Sequence, residues 1–327
     1  MRRNIVAGRQ AAGGLGFSVL SDDDLDRIHA ATLEVMCKTG IFVEDEEALE
    51  VFDGGGIAVD RKAKSAKIPP HVLEDAVRSA PEVVVLAGRN PENDIVLEKG
   101  RVGVACFGEG IMVNDPETGE HREPTKADLA DASRLVDYLE HIDVFHRIMG
   151  AHDVPQSVVP VHNLEAMLLN STKHIMIGSF SGYLTKKCVD MAAAVVGGKD
   201  RLKERPLVTF GTTPVTPLKL VRDTCEVIME TARAGQVLML LSQGMAGGSS
   251  AVTLAGTLVT HNVEVLSGLV LNQLVQKGAP FIYGSSTCTM DLRNGAASVG
   301  SPETALVSAA IAQMARYYLL PSYIAGG

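Results

Sequence analysis

The segment Arg316-Tyr-Tyr-Leu-Leu-Pro-Ser-Tyr-Ile-Ala-Gly-Gly327 carries a helical pattern to about Leu319 and a break at Pro321. A short apolar strand, Ser322–Ala325, then runs into Gly326-Gly327. A helix that feeds a short apolar strand is half of a repeated β/α unit, and working back from it the same alternation recurs. Strands are expected at Val144–Met149, His174–Phe180, Leu207–Thr212, Val237–Leu241, Pro280–Ser285 and Ser322–Ala325. Between them, helices are expected at Val158–Leu169, Thr185–Val196, Leu218–Ala234, Leu254–Lys277 and Pro302–Tyr318, with a further one running from the Thr125 cap to about His141. The strands are short and apolar on both faces, as in a parallel sheet covered by helices.

Two architectures fit such a repeat, a doubly wound sheet and a (β/α)8 barrel. No GxGxxG follows an early strand, which weighs against a dinucleotide-binding sheet; the Gly8–Gly16 stretch is glycine-rich but has no strand before it. A full barrel needs eight strands and about 250 residues, whereas the alternating part here offers six strands in about 200. The expected fold is therefore an α/β chain of TIM-barrel type, incomplete, over residues 124–327. An N-terminal α+β region fills residues 1–123. In it, Ser21-Asp-Asp-Asp24 opens a helix ended by Gly40, Glu46–Phe52 and Pro70–Ala80 form two more, and Val83–Leu86, Ile95–Leu97 and Val102–Cys106 form hairpin strands.

Composition narrows the function. Thirty basic against 39 acidic residues give a net charge of -9, which argues against nucleic acid or an anionic membrane as partner. No signal-peptide pattern follows Met1, and no uninterrupted apolar run reaches the roughly 18–20 residues of a membrane span. Leu254–Val275 comes nearest but contains His261, Asn262, Glu264, Asn272 and Gln273. A cytoplasmic protein is expected. The five cysteines, at 37, 106, 188, 225 and 288, are scattered and show neither disulfide nor zinc spacing.

Chemistry in this architecture sits on the loops after strands. The richest of these is Tyr283-Gly-Ser-Ser-Thr-Cys-Thr-Met-Asp291, followed by Arg293 and by Ser301-Pro-Glu303, a helix cap. Thr212–Thr216 and Ser242-Gln-Gly-Met-Ala-Gly-Gly-Ser-Ser250 follow two other strands, and Gly247–Ser250 before a helix suggests an anion cradle as readily as a capped loop. His261 and Glu264 lie one turn apart on a helix, but no HxH or HExxH accompanies them, so no metal site is expected. No strand-end lysine, GxSxG elbow or Cys–His pairing is evident. Phe180, Phe210, Tyr283 and Tyr323 fall in or beside four of the predicted strands and Phe107 ends an earlier one, a distribution that suits core packing or a cage for a quaternary ammonium group.

Six stretches in matching order resemble one family. They are Ala105-Cys-Phe-Gly-Glu-Gly110, Ala246-Gly-Gly-Ser-Ser250, Leu254-Ala-Gly-Thr-Leu-Val-Thr-His-Asn262, Tyr283-Gly-Ser-Ser-Thr287, Val299-Gly-Ser-Pro-Glu303 and Leu320–Gly327. From about residue 5 onward the chain resembles the trimethylamine:corrinoid methyltransferase (MttB) family. The resemblance implies a TIM barrel and transfer of a methyl group from a methylated amine to the Co(I) of a cognate corrinoid protein. The corrinoid (cobalamin) is carried by that partner, with no cofactor bound directly by this chain. It further implies that a catalytic pyrrolysine, encoded by an in-frame amber codon, follows Gly327, so that no catalytic residue is present in residues 1–327 and the chain is a truncated, inactive form. Phe107, Tyr283 and Tyr323 would line the methylamine cavity, Glu109 would offset an ammonium charge, and Gln243, Ser285 and Ser286 would hydrogen-bond near the catalytic ring. Three alternatives stand beside it: a pyrrolysine-free quaternary-amine methyltransferase of the glycine betaine type, a non-catalytic remnant that binds a partner or forms a homo-oligomer through an open sheet edge, and a barrel lyase for phosphorylated substrates.

Overall fold

The computed structural model describes residues 9–10, 17–98, 100–106 and 108–326. Three helices come first, α1 (Asp22–Glu34), α2 (Glu46–Gly54) and α3 (Pro70–Ser79). Then follow α4 (Lys126–Tyr138), β1 (Val144–His146), α5 (Val159–Asn170), β2 (His174–Gly178), α6 (Gly182–Val196), the short α7 (Lys199–Glu204) and β3 (Val208–Thr212). The remainder is α8 (Arg222–Arg233), β4 (Val237–Ser242), α9 (Leu254–Val275), β5 (Phe281–Ser285), α10 (Pro302–Tyr317) and β6 (Ser322–Ile324).

The helix starts follow the sequence signals. The Ser21 and Thr125 hydroxyls each accept the backbone N–H three residues on, while Asp24 and Asp128 reach back to the cap N–H, closing two capping boxes. Ser301 caps α10 with Pro302 in its first turn.

The chain forms two compact units, each discontinuous in sequence. One comprises Met1–Ala11, Val83–Gly211 and Ala234–Val237, the other Ala12–Glu82, Thr212–Arg233 and Leu238–Gly327. In the first, β1, β2 and β3 pair parallel in chain order, with Val144 opposite His174 and Ile175 opposite Val208. Leu129 of α4, Leu164 and Met167 of α5, and the strand residues Phe145, Ile175, Ile177 and Phe210 are buried. Lys173 is almost fully buried, yet its Nζ donates to the carbonyls of Val136, Leu139 and Ile142 at 2.6–2.7 Å, closing the end of α4 with a cation where the helix dipole is negative.

In the second unit, β4, β5 and β6 also pair parallel in chain order, with Leu240 opposite Tyr283 and Gly284 opposite Tyr323. Within each unit the strands keep chain order, as consecutive β/α units of an α/β barrel do. Helix α8 starts at Arg222 rather than at Leu218. Lys219–Leu220 instead pairs parallel with Phe42–Val43, and the Phe42 and Glu44 N–H groups donate to the carbonyls of Leu218 and Leu220.

The centre of this unit is α9. Among the described residues it is the helix whose length and hydropathy would let it cross a membrane, the same stretch that came nearest to a span in the sequence. It is instead a core helix, with Val263, Val265, Leu266, Leu269, Val270 and Leu271 fully buried among α1, α2, α3, α8 and α10. His261, Asn262, Glu264, Asn272 and Gln273 are buried with them. Polar groups in such a place need partners, and those of the first three define the site below.

Candidate functional site

The carboxyl ends of β4, β5 and β6 bring four of the expected site residues together. Ser242 lies opposite Ser285, and Ser285 opposite Ile324, so Gln243 and Ser286 follow on neighbouring strand ends beside Tyr323. The Ser286 N–H donates to the Ser242 carbonyl at 2.9 Å, and the Ala325 N–H to the Ser285 carbonyl at 2.9 Å. Gln243 is exposed, Ser286 and Tyr323 are half-buried, and Ser285 is buried with its Oγ accepting from the Thr287 N–H.

Residues in register on a parallel pair share a face, and faces alternate along a strand. Leu241, Gly284 and Tyr323 therefore form one row, and Tyr283 and Ser285 belong to the opposite face, so Ser285 too turns away from the Tyr323 side where it was expected to act. Gly284 has no room for a side chain, since a Cβ there would lie 2.7 Å from the Leu240 carbonyl oxygen. Tyr323 thus stands beside bare backbone.

Tyr283 turns away from the site expected for it. Its ring is fully buried, and its hydroxyl meets Asn262 Oδ1 and His261 Nδ1 on α9. The parity of the strand dictates this: a residue facing the helix layer cannot also line the face that carries Tyr323. His261 Nε2 lies 3.2 Å from the Gly284 carbonyl, which only accepts, so Nε2 carries the ring proton. Burial drives the His261 pKa down to about 3, against the favourable Gly284 contact. Asn262 Nδ2 donates onward to Thr32 and Tyr318, and the Tyr318 hydroxyl meets His29.

Glu264, three residues further along α9, was considered in the sequence only as a partner of His261 for a metal. It belongs to a different cluster. One carboxylate oxygen accepts the Leu218 N–H at 2.9 Å; the other accepts the Ser242 hydroxyl at 2.7 Å and the Thr216 hydroxyl at 3.0 Å. Burial raises its pKa, against the three hydrogen bonds. The signal was present in the sequence, as the one carboxylate in the apolar run Leu254–Val275. Among the described residues no group of three or more His, Cys, Asp or Glu side chains gathers as a metal-ligand set.

Glu109 lies in the other unit, on a segment that runs beside β1 through parallel bridges at Ala105–Val144 and Gly110–Met149. It has a left-handed φ of 76° and an ion pair with the guanidinium of buried Arg147, so its charge is shared with an arginine. Gly108 is needed there, since a Cβ would fall 2.4 Å from the His146 ring. Phe107 lies outside the described residues. Phe180, expected inside a strand, follows β2 and is exposed. The Gly247–Ser250 turn spends its N–H groups internally, with those of Gly248, Ser249 and Ser250 all donating to Met245 O; Thr253 caps α9 instead. An anion cradle there is ruled out by that bonding.

Fold and site define an α/β-barrel protein whose strand ends present hydroxyls, an amide and a tyrosine. The family model described as trimethylamine methyltransferase (MTTB) matches residues 11–327, and the chain belongs to that family. It is 49% identical, over all of its length, to a protein of Desulfitobacterium hafniense named trimethylamine methyltransferase MttB, covering 66% of that relative. It is 34% identical over 95% of its length to a glycine betaine methyltransferase from another strain of that species, covering 64% of it. The chain thus spans about two thirds of the curated relatives it matches. Among solved structures, the monomethylamine methyltransferase (MtmB) of Methanosarcina barkeri resembles it with a TM-score of 0.52 at 14% identity, over 92% of this chain and 67% of that one, a likeness of fold.

Proposed function

We propose that the chain belongs to an enzyme that moves a methyl group from trimethylamine to the Co(I) of a corrinoid carried by a separate cytoplasmic protein, leaving methyl-Co(III) and, with uptake of one proton from solvent at the nitrogen, dimethylamine. The observation that carries this reading is the 49% identity, along the whole chain, to a relative named for trimethylamine. A neutral amine is a poor methyl donor because its leaving group would be an amide anion; it must first become four-coordinate at nitrogen. In this proposal a pyrrolysine, an electrophilic imine, follows Gly327 and adds the amine. Co(I) supplies the nucleophile, so the protein's part is orientation and exclusion of water rather than acid–base catalysis. Tyr323 offers a ring face to the methyl groups, and Gln243 and Ser286 offer hydrogen bonds at the adjoining strand ends.

The 34% identity to a glycine betaine methyltransferase supports a second reading, in which the substrate is a quaternary amine that is already cationic and needs only positioning. One assay separates the two. The protein as its gene encodes it is mixed with a Co(I) corrinoid protein and either trimethylamine or glycine betaine, and loss of Co(I) absorbance is followed together with the demethylated product. Methylation from trimethylamine is expected. Turnover of glycine betaine alone would establish the second reading, and turnover of neither would refute both. Mass spectrometry of the peptide containing Gly327 reads the next residue, and any residue but pyrrolysine removes that part of the proposal.

A further inference from the structure

His29, on α1, is the outer end of the buried polar chain that runs through α9. Its Nδ1 lies 3.1 Å from the Tyr318 hydroxyl, and its ring packs against Tyr317 and Tyr318 with centroids 5.6 Å from each. Proton counting fixes which way this contact runs. The Thr32 hydroxyl donates to the Ile28 carbonyl, so Thr32 accepts from Asn262 Nδ2, at 3.2 Å. The second amide hydrogen goes to the Tyr318 oxygen at 3.3 Å, while Asn262 Oδ1 takes the Tyr283 hydroxyl. Tyr318 then has its own proton left to place. It is 4% exposed, and among the described residues the acceptor within reach is His29 Nδ1. Nδ1 must therefore be bare, with the ring proton on Nε2.

What this contact holds is the entry to β6. Tyr318 closes α10, and Leu319, with a left-handed φ of 55°, and Pro321 turn the chain into Ser322–Ile324. The Pro321 carbonyl accepts the Tyr283 N–H at 2.8 Å, and Tyr323 follows two residues later. Through Asn262, the side chain of Tyr283 on β5 and that of Tyr318 just before β6 are joined to His29.

We propose that His29 is an acid-sensitive latch on the turn from α10 into β6: neutral, it accepts the Tyr318 hydroxyl and holds the turn; protonated at Nδ1, it meets that proton with another, and the turn and the strand carrying Tyr323 loosen. The inference holds for any substrate of the site. Burial lowers the His29 pKa, against the attraction of Glu74 and Asp26. Each of those carboxylates already has a partner. Glu74 on α3 pairs with Arg78 at 2.9 Å, and Asp26 on α1 accepts the Tyr317 hydroxyl at 2.9 Å. A folded-state pKa below the unfolded 6.5 means that the latch is closed above pH 6.5 and opens as pH falls through the folded value.

His29→Asn tests this, because asparagine puts Oδ1 where His29 has Nδ1 and accepts the Tyr318 hydroxyl without titrating. Backbone hydrogen exchange, read by mass spectrometry, is compared between wild type and variant at pH 7.5 and pH 5. Residues 317–325 are expected to exchange alike at pH 7.5 and several-fold faster in wild type at pH 5, with no difference in peptides from α4–α6. A ratio that is the same at both pH values, or a difference at pH 5 spread evenly over the chain, overturns the inference. If His29→Asn does not fold, exchange of the histidine C2 hydrogen gives the His29 pKa in wild type and in Tyr318→Phe. Removing the hydroxyl withdraws the bond that favours the neutral ring, so the value is expected to rise towards 6.5, and an unchanged value refutes the latch.

Discussion

Replacing Tyr283 by phenylalanine removes one oxygen from a site with no solvent and tests whether the polar groups on α9 are as tightly accounted for as the distances imply. The Tyr283 hydroxyl has one proton and two buried acceptors, Asn262 Oδ1 and His261 Nδ1, the latter at 3.1 Å. His261 cannot supply a proton at Nδ1, because its Nε2 carries the ring proton for the Gly284 carbonyl and burial holds the ring neutral down to about pH 3. Phenylalanine fits the ring's space, so no cavity larger than the oxygen arises. What changes is that both acceptors lose their donor. Leaving a buried polar group unpaired costs about 1–3 kcal/mol, and one proton shared by two acceptors places the expected loss at about 2–3 kcal/mol. Urea denaturation of wild type and Tyr283→Phe at pH 7, followed by circular dichroism, measures it. The double variant with Asn262→Leu completes a cycle, in which the second substitution should recover at least part of the loss by removing the stranded acceptor. A Tyr283→Phe loss under about 0.5 kcal/mol would show that neither acceptor depends on this hydroxyl, and the assignment of Tyr283 to the helix layer's polar chain would fall.

Three other outcomes follow from particular contacts. Gly284→Ala places a methyl carbon 2.7 Å from the Leu240 carbonyl oxygen and 3.1 Å from Leu241 Cα, backbone atoms of β4 that cannot swing aside; a loss of about 1–3 kcal/mol is expected in thermal unfolding, and a midpoint within a degree of wild type would contradict it. Asp128 closes the α4 capping box and takes two hydrogen bonds from Arg122, at 2.7 and 2.9 Å, so Asp128→Ala should cost about 1–2 kcal/mol in urea unfolding, with an unchanged midpoint as the adverse result. Burial lowers the pKa of His146 and His174 to about 4 and of His261 to about 3. Folded-state values below the unfolded 6.5 mean that their contribution is fully present above pH 6.5 and drains away as pH falls towards 4, by about 2 kcal/mol for each histidine at pH 5. Glu264, shifted upward, offsets part of this. Unfolding midpoints at pH 7 and pH 5 should therefore fall with acid, and a midpoint that rises would reverse the sign argued here.

What the sequence disclosed and what it hid divide along a physical line. The barrel strands and the caps were legible because their causes are local. Pro321 ends a helix, Thr125 and Asp128 sit three apart, and short apolar runs recur between helical stretches; each strand formed within a few residues of its expected bounds. The start of α8 was not legible, because Lys219–Leu220 is held by hydrogen bonds from residues near position 42, far away in the chain. The site divides in the same way. Gln243, Ser286 and Tyr323 lie on neighbouring strand ends as expected, because strand-end position is a matter of order along the chain. Tyr283 was placed on the wrong side, although the error was avoidable: with Gly284 between them, Tyr283 and Ser285 share one face, and register with Tyr323 assigns the other face to Gly284. Glu264 was visible as an oddity in an apolar helix, yet its three donors come from residues 216, 218 and 242, which no periodicity on α9 brings to mind. The carboxylate shows why a residue that breaks the local rule is worth more attention than one that satisfies it. An apolar helix that keeps a glutamate at the cost of desolvating it is constrained by something beyond its own packing. The candidates are the tie to the 216–218 loop and the charge, and glutamine, which preserves the one and removes the other, decides between them.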